Sequence, residues 1–197
     1  MSNSIQVVDN FLPDDLFYPF ARSCMVSSIY GPADFTTVRA EADGSIDRFG
    51  EDLTPVEEKS FADTLFQSVI FSRDASQCKV NDFYLYYPLF FRKLEEMLNV
   101  KRWWVMRINC TIGQLEQHTG GFHRDFDEYT LDTYKDSTTS ILYLNSNNGG
   151  TKFRDTDTFV ESKRNRLVTF PTDTFHAAVS STNAKLRFVL NMNYETK

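Results

Sequence analysis

Residues 138–193 contain, in order, Thr138-Thr139-Ser140-Ile141-Leu142-Tyr143-Leu144, Lys152-Phe153, Thr158-Phe159-Val160-Glu161, Arg166-Leu167-Val168-Thr169-Phe170, Phe175-His176-Ala177-Ala178-Val179-Ser180 and Leu186-Arg187-Phe188-Val189-Leu190-Asn191-Met192-Asn193. These runs are short and β-prone, with turns every eight to twelve residues or so. With Trp103 to Cys110 and Phe122 to Asp125 upstream they make about eight strands, the signature of an antiparallel sandwich or barrel. The expected fold class is mainly β with flanking helices: a jelly roll with helices packed outside it.

Upstream the texture is different. Asp14 and Asp15 open a segment with Leu16, Phe17, Phe20 and Met25 at helical spacing, which predicts a helix over Asp14 to Ser28. Between Tyr30 and Asp52 the pattern fades into a long connection or a pair of weak edge strands, a stretch able to fold over a site. Thr54-Pro55-Val56-Glu57 reads as a capped helix start, and Phe61, Leu65, Phe66 and Val69 extend the prediction to Phe71. A third helix is predicted from Asp82 through Leu98, with Pro88 as a kink or a late start. Residues 1–100 thus read as mostly helical support for a β core over 101–197, in one domain spanning 1–197. A chain of 197 residues has no room for two full cores.

Composition narrows the function classes. The chain is 41% hydrophobic, 24% charged and 15% aromatic, so disorder is not its general state. The net charge of -6 argues against nucleic acid as a non-specific partner and against anionic lipid. Apolar stretches are too short to span a membrane, and Met1 to Asp14 lacks the pattern of a signal peptide, so a cytoplasmic location is expected. Cys24, Cys78 and Cys110 fit reduced thiols rather than a disulfide framework or a zinc site.

The chain has three histidines, His118, His123 and His176. In a strand, His123 and Asp125 project from one face, and pairing in a rolled sheet can bring His176 opposite them. Two imidazoles and one carboxylate on one side of a metal leave the other face open, an arrangement used by non-haem Fe(II) oxygenases. The competing reading is an accidental His-x-Asp and a hydrogen-bonded core histidine.

Four pieces then occur in a fixed order: Gly121-Phe122-His123-Arg124-Asp125; Ile141-Leu142-Tyr143-Leu144-Asn145 with Gly149-Gly150-Thr151-Lys152-Phe153; Leu167-Val168-Thr169-Phe170-Pro171 leading to His176; and Arg187-Phe188-Val189-Leu190-Asn191. In this the second half, from Trp103 to Tyr194, resembles the Fe(II)- and 2-oxoglutarate-dependent dioxygenases, in particular their prolyl 4-hydroxylase-like branch. The opening Val7-Val8-Asp9-Asn10-Phe11-Leu12 also looks like the start of members of that branch.

The resemblance implies a double-stranded β-helix with His123, Asp125 and His176 as iron ligands. It implies that Arg187 holds the far carboxylate of 2-oxoglutarate, a role suited to a planar guanidinium. Lys185 shares strand parity with Arg187 and competes for the role. Tyr143 would join the same carboxylate or be a core aromatic, and Thr139 would line the pocket. The implied cofactors are Fe(II), 2-oxoglutarate as co-substrate, and O2, with ascorbate as an auxiliary. The implied reaction is hydroxylation of an aliphatic C–H, in a peptidyl proline or other protein side chain or in a free amino acid, with release of succinate and CO2. The partners are then a small-molecule co-substrate and a protein or amino-acid substrate.

Two other classes stay open: a cupin-type metal enzyme that does not use 2-oxoglutarate, and a non-catalytic binding β-sandwich. The chain also departs from the family, since Asn109 or Cys110 falls where a tyrosine often faces the co-substrate. Other features are assigned to structure: His118 to a loop or strand surface, Asp127 and Glu128 to the rim, Trp103-Trp104 to the core, and Gly149-Gly150 to a tight turn.

Overall fold

The computed structural model describes residues 5–26, 36–40, 46–48, 64–73, 77–126, 134 and 136–197. In chain order the elements are β1 (Gln6–Val8), α1 (Asp14–Met25), β2 (Thr36–Ala40), β3 (Ile46–Arg48), β4 (Thr64–Arg73), β5 (Cys78–Val80), α2 (Asp82–Tyr86), α3 (Pro88–Met97), β6 (Val100–Ile112), β7 (Thr138–Tyr143), β8 (Gly150–Phe153), β9 (Phe159–Glu161), β10 (Leu167–Pro171), β11 (His176–Val179) and β12 (Leu186–Thr196).

The larger sheet runs β1-β10-β7-β12-β6-β4-β2-β3, with β5 on β4, and the smaller runs β11-β8-β9. This is the expected jelly roll. Of the strands read from sequence downstream of Lys101, Phe122 to Asp125 alone is reduced to a single bridge, between His123 and His176. Asp125 lies in a bend beyond that bridge.

Alternation along the central strands gives the large sheet two different faces. Phe188, Leu190, Met192 and Tyr194 on β12, with Met106, Ile108 and Cys110 on β6, pack with Phe17, Phe20, Phe90, Phe91 and Leu94 from the helices. The opposite face sends Ile141, Tyr143, Val168, Phe170 and Val189 toward Phe153 and Val160 of the small sheet. Arg187, Asn191 and Asn193 share that inward face with Val189, because strand residues two apart point the same way.

The helical reading of residues 54–71 is corrected where the structure describes it, since Thr64–Arg73 is strand β4. β4 pairs antiparallel with β6, placing Phe66 opposite Cys110 and Gln67 opposite Asn109, with a bulge between Val69 and Phe71. Phe66, Val69, Ile70 and Phe71 suit a sheet as well as a helix, and the open edge of β6 decides between them. The start read at Thr54-Pro55 lies outside the described residues. The described part of residues 1–100 is accordingly not mostly helical, since strands β1 to β5 stand there beside α1, α2 and α3. The weak edge strands read between Tyr30 and Asp52 include β2 and β3, which pair with each other. Pro88 is the late start, opening α3 at its first turn.

Two small features hold the layers in register. β1 pairs with β10, and beyond it the Asn165 side chain accepts from Leu12 N at 3.0 Å and donates to the Leu12 carbonyl at 2.8 Å. A Cβ on Gly150 would stand 2.3 Å from the Val160 carbonyl oxygen, and one on Gly149 2.6 Å from that of Val179. The paired glycines serve the close approach of neighbouring main chains, which keeps their role structural. Among the described residues, no helix is long and apolar enough to cross a membrane.

Candidate metal centre

His123 and His176 face each other across the bridge between the segment before Asp125 and β11. Each backbone N–H donates to the other's carbonyl at 3.0 Å. The rings follow one pattern: Nδ1 of His123 is 3.0 Å from the Gly121 carbonyl oxygen, and Nδ1 of His176 is 3.0 Å from that of Thr174. A carbonyl oxygen only accepts, so Nδ1 carries the proton and Nε2 keeps its lone pair for a cation.

Asp125 is held chiefly through Oδ2. Asn193 Nδ2 donates to Oδ2 at 2.8 Å, the Thr139 hydroxyl lies 3.3 Å from the same atom, and Asn191 Nδ2 is 3.4 Å from both oxygens. Arg107 donates in turn to Asn193 Oδ1 at 3.2 Å. Oδ1 is left toward His176 Nε2, 3.9 Å away.

The donor atoms of His123, Asp125 and His176 all lie within 4.8 Å of one another. Two imidazoles and one carboxylate, each with its remote atom already engaged, form a donor set that fits a divalent first-row metal with open positions. Desolvation, then the neighbouring His176, lowers the His123 pKa to about 4, which keeps that ring neutral and able to ligate. Burial alone would raise the Asp125 carboxyl, but His176, Arg107, His123 and the Asn193 amide together bring it below its ordinary value.

Further along the same inner face stands Arg187, 3% exposed. Its NH2 group donates to Thr151 Oγ1 at 3.3 Å, and its guanidinium carbon lies 5.4 Å from the centre of the Tyr143 ring. The Tyr143 hydroxyl is 2.8 Å from Thr151 Oγ1 and 3.1 Å from the Val160 carbonyl oxygen. Among the described residues no carboxylate pairs with Arg187, and its Nε has no hydrogen-bond partner. Burial pulls its pKa below the ordinary value. Such a guanidinium is costly unless an anion completes it.

The residues read from sequence therefore sort into two groups. His123, Asp125, His176 and Thr139 come together, Thr139 lying beside Asp125 rather than beside Arg187. Arg187 and Tyr143 come together with Thr151, which the sequence reading used only as part of a turn motif. Lys185 is exposed, and its carbonyl accepts from Gly113 N at 2.7 Å. His118 is half-buried and pairs its backbone with Ser180, in keeping with a loop role. Asp127 and Glu128 lie outside the described residues. Trp103 is buried against Tyr194, as a core residue should be, and the half-buried Trp104 donates to Ser137 Oγ at 3.0 Å. Asn191 and Asn193 were missed as site residues; their alternation with Leu190 and Met192 on a strand facing the candidate ligands was the available signal.

No protein-family model matches the chain, and no curated protein matches it. Solved structures do. A prolyl hydroxylase from Trichoplax adhaerens, in complex with a hypoxia inducible factor oxygen degradation domain peptide fragment, is 14% identical with a TM-score of 0.61, covering 98% of this chain and 84% of that one. A prolyl-4-hydroxylase from Pseudomonas putida is 15% identical with a TM-score of 0.57, covering 100% of this chain and 94% of that one. An oxidoreductase of the 2OG-Fe(II) oxygenase family from Burkholderia pseudomallei is 10% identical with a TM-score of 0.57, covering 96% and 84%. The chain has the fold of these oxygenases.

Proposed function

We propose that the chain is an Fe(II)- and 2-oxoglutarate-dependent dioxygenase that hydroxylates an aliphatic C–H bond, in a peptidyl proline or another amino-acid side chain. The observation that carries this reading is the buried Arg187, without a carboxylate partner among the described residues, on the sheet face that also carries the amides of Asn191 and Asn193 against Asp125. Arg187 and Asn191 stand four positions apart on β12, a rise of about 13 Å, which the arginine side chain shortens toward the span of a five-carbon dicarboxylate. A cupin-type enzyme without such a co-substrate has no use for a buried guanidinium lacking its anion, and a purely structural sandwich has no use for two Nε2 atoms converging on a carboxylate.

When bound, Fe(II) with 2-oxoglutarate and O2 supplies an oxidant that inserts one oxygen atom into the substrate while the co-substrate becomes succinate and CO2. The protein's part is geometric and electrostatic. His123 and His176 present Nε2 because their Nδ1 protons are occupied by Gly121 and Thr174. Asp125 presents Oδ1 because Asn193 occupies Oδ2. Arg187 and Tyr143 orient the far end of the co-substrate, and the apolar wall of Ile141, Phe170 and Val189 keeps water from the space between. The prolyl hydroxylases among the similar structures support a peptide substrate, and Arg124 and Phe175, each one residue from a candidate ligand, stand in contact at its edge.

Anaerobic addition of Fe(II) and 2-oxoglutarate tests the reading. The wild-type protein is expected to develop the weak visible charge-transfer band of the chelate, and Asp125→Ala to lose it together with bound iron. A wild type with neither band nor retained iron refutes the proposal. Succinate release stimulated by proline-containing peptides, against free amino acids, then separates the substrate classes.

A further inference from the structure

β6 runs antiparallel beside β12 and places Thr111 directly opposite Arg187. Directly opposed residues of an antiparallel pair project from the same face with their Cβ atoms about 5 Å apart. Thr111 Oγ1 is shut off from solvent and, among the described residues, has no hydrogen-bond partner, and neither has Nε of Arg187. Two orphaned polar atoms on facing residues, one from a neutral hydroxyl and one from a cation, are not explained by either strand. Buried polar groups are almost always paired in a folded chain, so an adjacent pair of exceptions marks the outline of something that pairs both.

A carboxylate suits that outline, because one oxygen can accept from the guanidinium while another accepts from a hydroxyl. Cys110, the neighbour of Thr111, turns to the opposite face and is buried in the helix-covered core. That leaves Thr111 as the β6 residue paired with Arg187 on the inner face.

We propose that Thr111 is a second anchor for the distal carboxylate of the co-substrate, donating its hydroxyl proton beside Arg187. The pocket then selects a dicarboxylate through three hydroxyl-bearing residues, Thr111, Thr151 and Tyr143, gathered round one guanidinium. This rests on the 2-oxoglutarate reading of the site, and its test is arranged to separate the two.

The anaerobic Fe(II) complex is titrated with 2-oxoglutarate and, separately, with 2-oxopentanoate, which has the same keto acid end and a methyl group in place of the distal carboxylate. Thr111→Val is expected to weaken 2-oxoglutarate about tenfold or more, the usual effect of losing a hydrogen bond to a charged group, with 2-oxopentanoate and Fe(II) binding unchanged. Thr111→Ser is expected to stay within threefold of wild type, and Thr111→Ala, which cannot overpack the site, to follow Thr111→Val. Equal affinity for 2-oxoglutarate in wild type, Thr111→Val and Thr111→Ala overturns the proposal while leaving the co-substrate reading intact. Equal weakening for both keto acids overturns it too, since the hydroxyl then does not read the distal carboxylate. Absence of a chelate in the wild type with either acid overturns the underlying reading and this proposal with it.

Discussion

At Asp125 the two carboxylate oxygens have different neighbours, and the difference decides how a cation meets them. Asn193 holds Oδ2 at 2.8 Å, and its amide also lies 2.9 Å from Thr139 Oγ1. Asn193→Ala should therefore free the carboxylate to rotate and weaken Fe(II) binding about 10- to 100-fold, the usual scale for a group that orients a ligand. Anaerobic equilibrium dialysis against Fe(II) measures it, and an unchanged midpoint would show that Thr139 and Asn191 suffice. Arg187 allows a prediction of opposite sign for stability and function. In the metal-free protein it is a buried charge with no carboxylate beside it among the described residues. Arg187→Met should raise thermal stability, by about 1–4 kcal/mol if it follows the replacement of other buried charges by apolar groups, while abolishing 2-oxoglutarate binding. A fall in Tm would mean that the guanidinium is already well compensated.

Among the elements, β1 is fastened beyond its own short ladder by Asp9, which pairs with Lys163 and Arg166, and by the side chain of Asn165. Asn165 bonds both the N–H and the carbonyl of Leu12 and sits at φ 60. Asn165→Ala removes both bonds and places a Cβ-bearing residue without asparagine's local hydrogen bonding in the left-handed region, so a loss of about 1–3 kcal/mol is expected by denaturant unfolding. Asn165→Gly restores the backbone freedom without the amide, so the gap between the two variants isolates the conformational cost. The strands from β6 onward were legible because each carries its own alternation and its own turn. β4 was not, because Leu65, Phe66 and Val69 fit a helical stripe as well as a strand, and the edge of β6 that selects the strand lies some forty residues away in sequence. Arg187 was legible from its place in a motif; Thr111 was not, because its significance lies in what it opposes across the ladder.

For the molecule as a whole, the chemistry of the centre makes stability depend on pH. The His123 ring titrates near 4 in the folded protein against an ordinary 6.5, so between those values the unfolded chain binds the extra proton. The contribution is complete above pH 6.5 and is lost progressively as the pH falls toward 4, after which it levels off. Metal-free wild-type protein should lose stability over that window more steeply than His123→Gln, as read by urea midpoints at pH 7, 6, 5 and 4. Parallel curves for the two proteins would contradict it. A bound divalent ion should push the acid limb lower still, because it holds the ring neutral.

The strand order also fixes when the molecule can come into being. β6 and β7 have no ladder with each other in the larger sheet; they meet only through β12, which follows all the other described strands in the chain. A nascent chain emerging at about 5–20 residues per second therefore carries two unjoined half-sheets until β12 has emerged. That same stretch bears Arg187, Asn191 and Asn193, so closure of the barrel and completion of its working interior are a single event in biosynthesis. A ribosome stalled before β12 would display the three candidate ligands with neither their amide supports nor the sheet that aligns them.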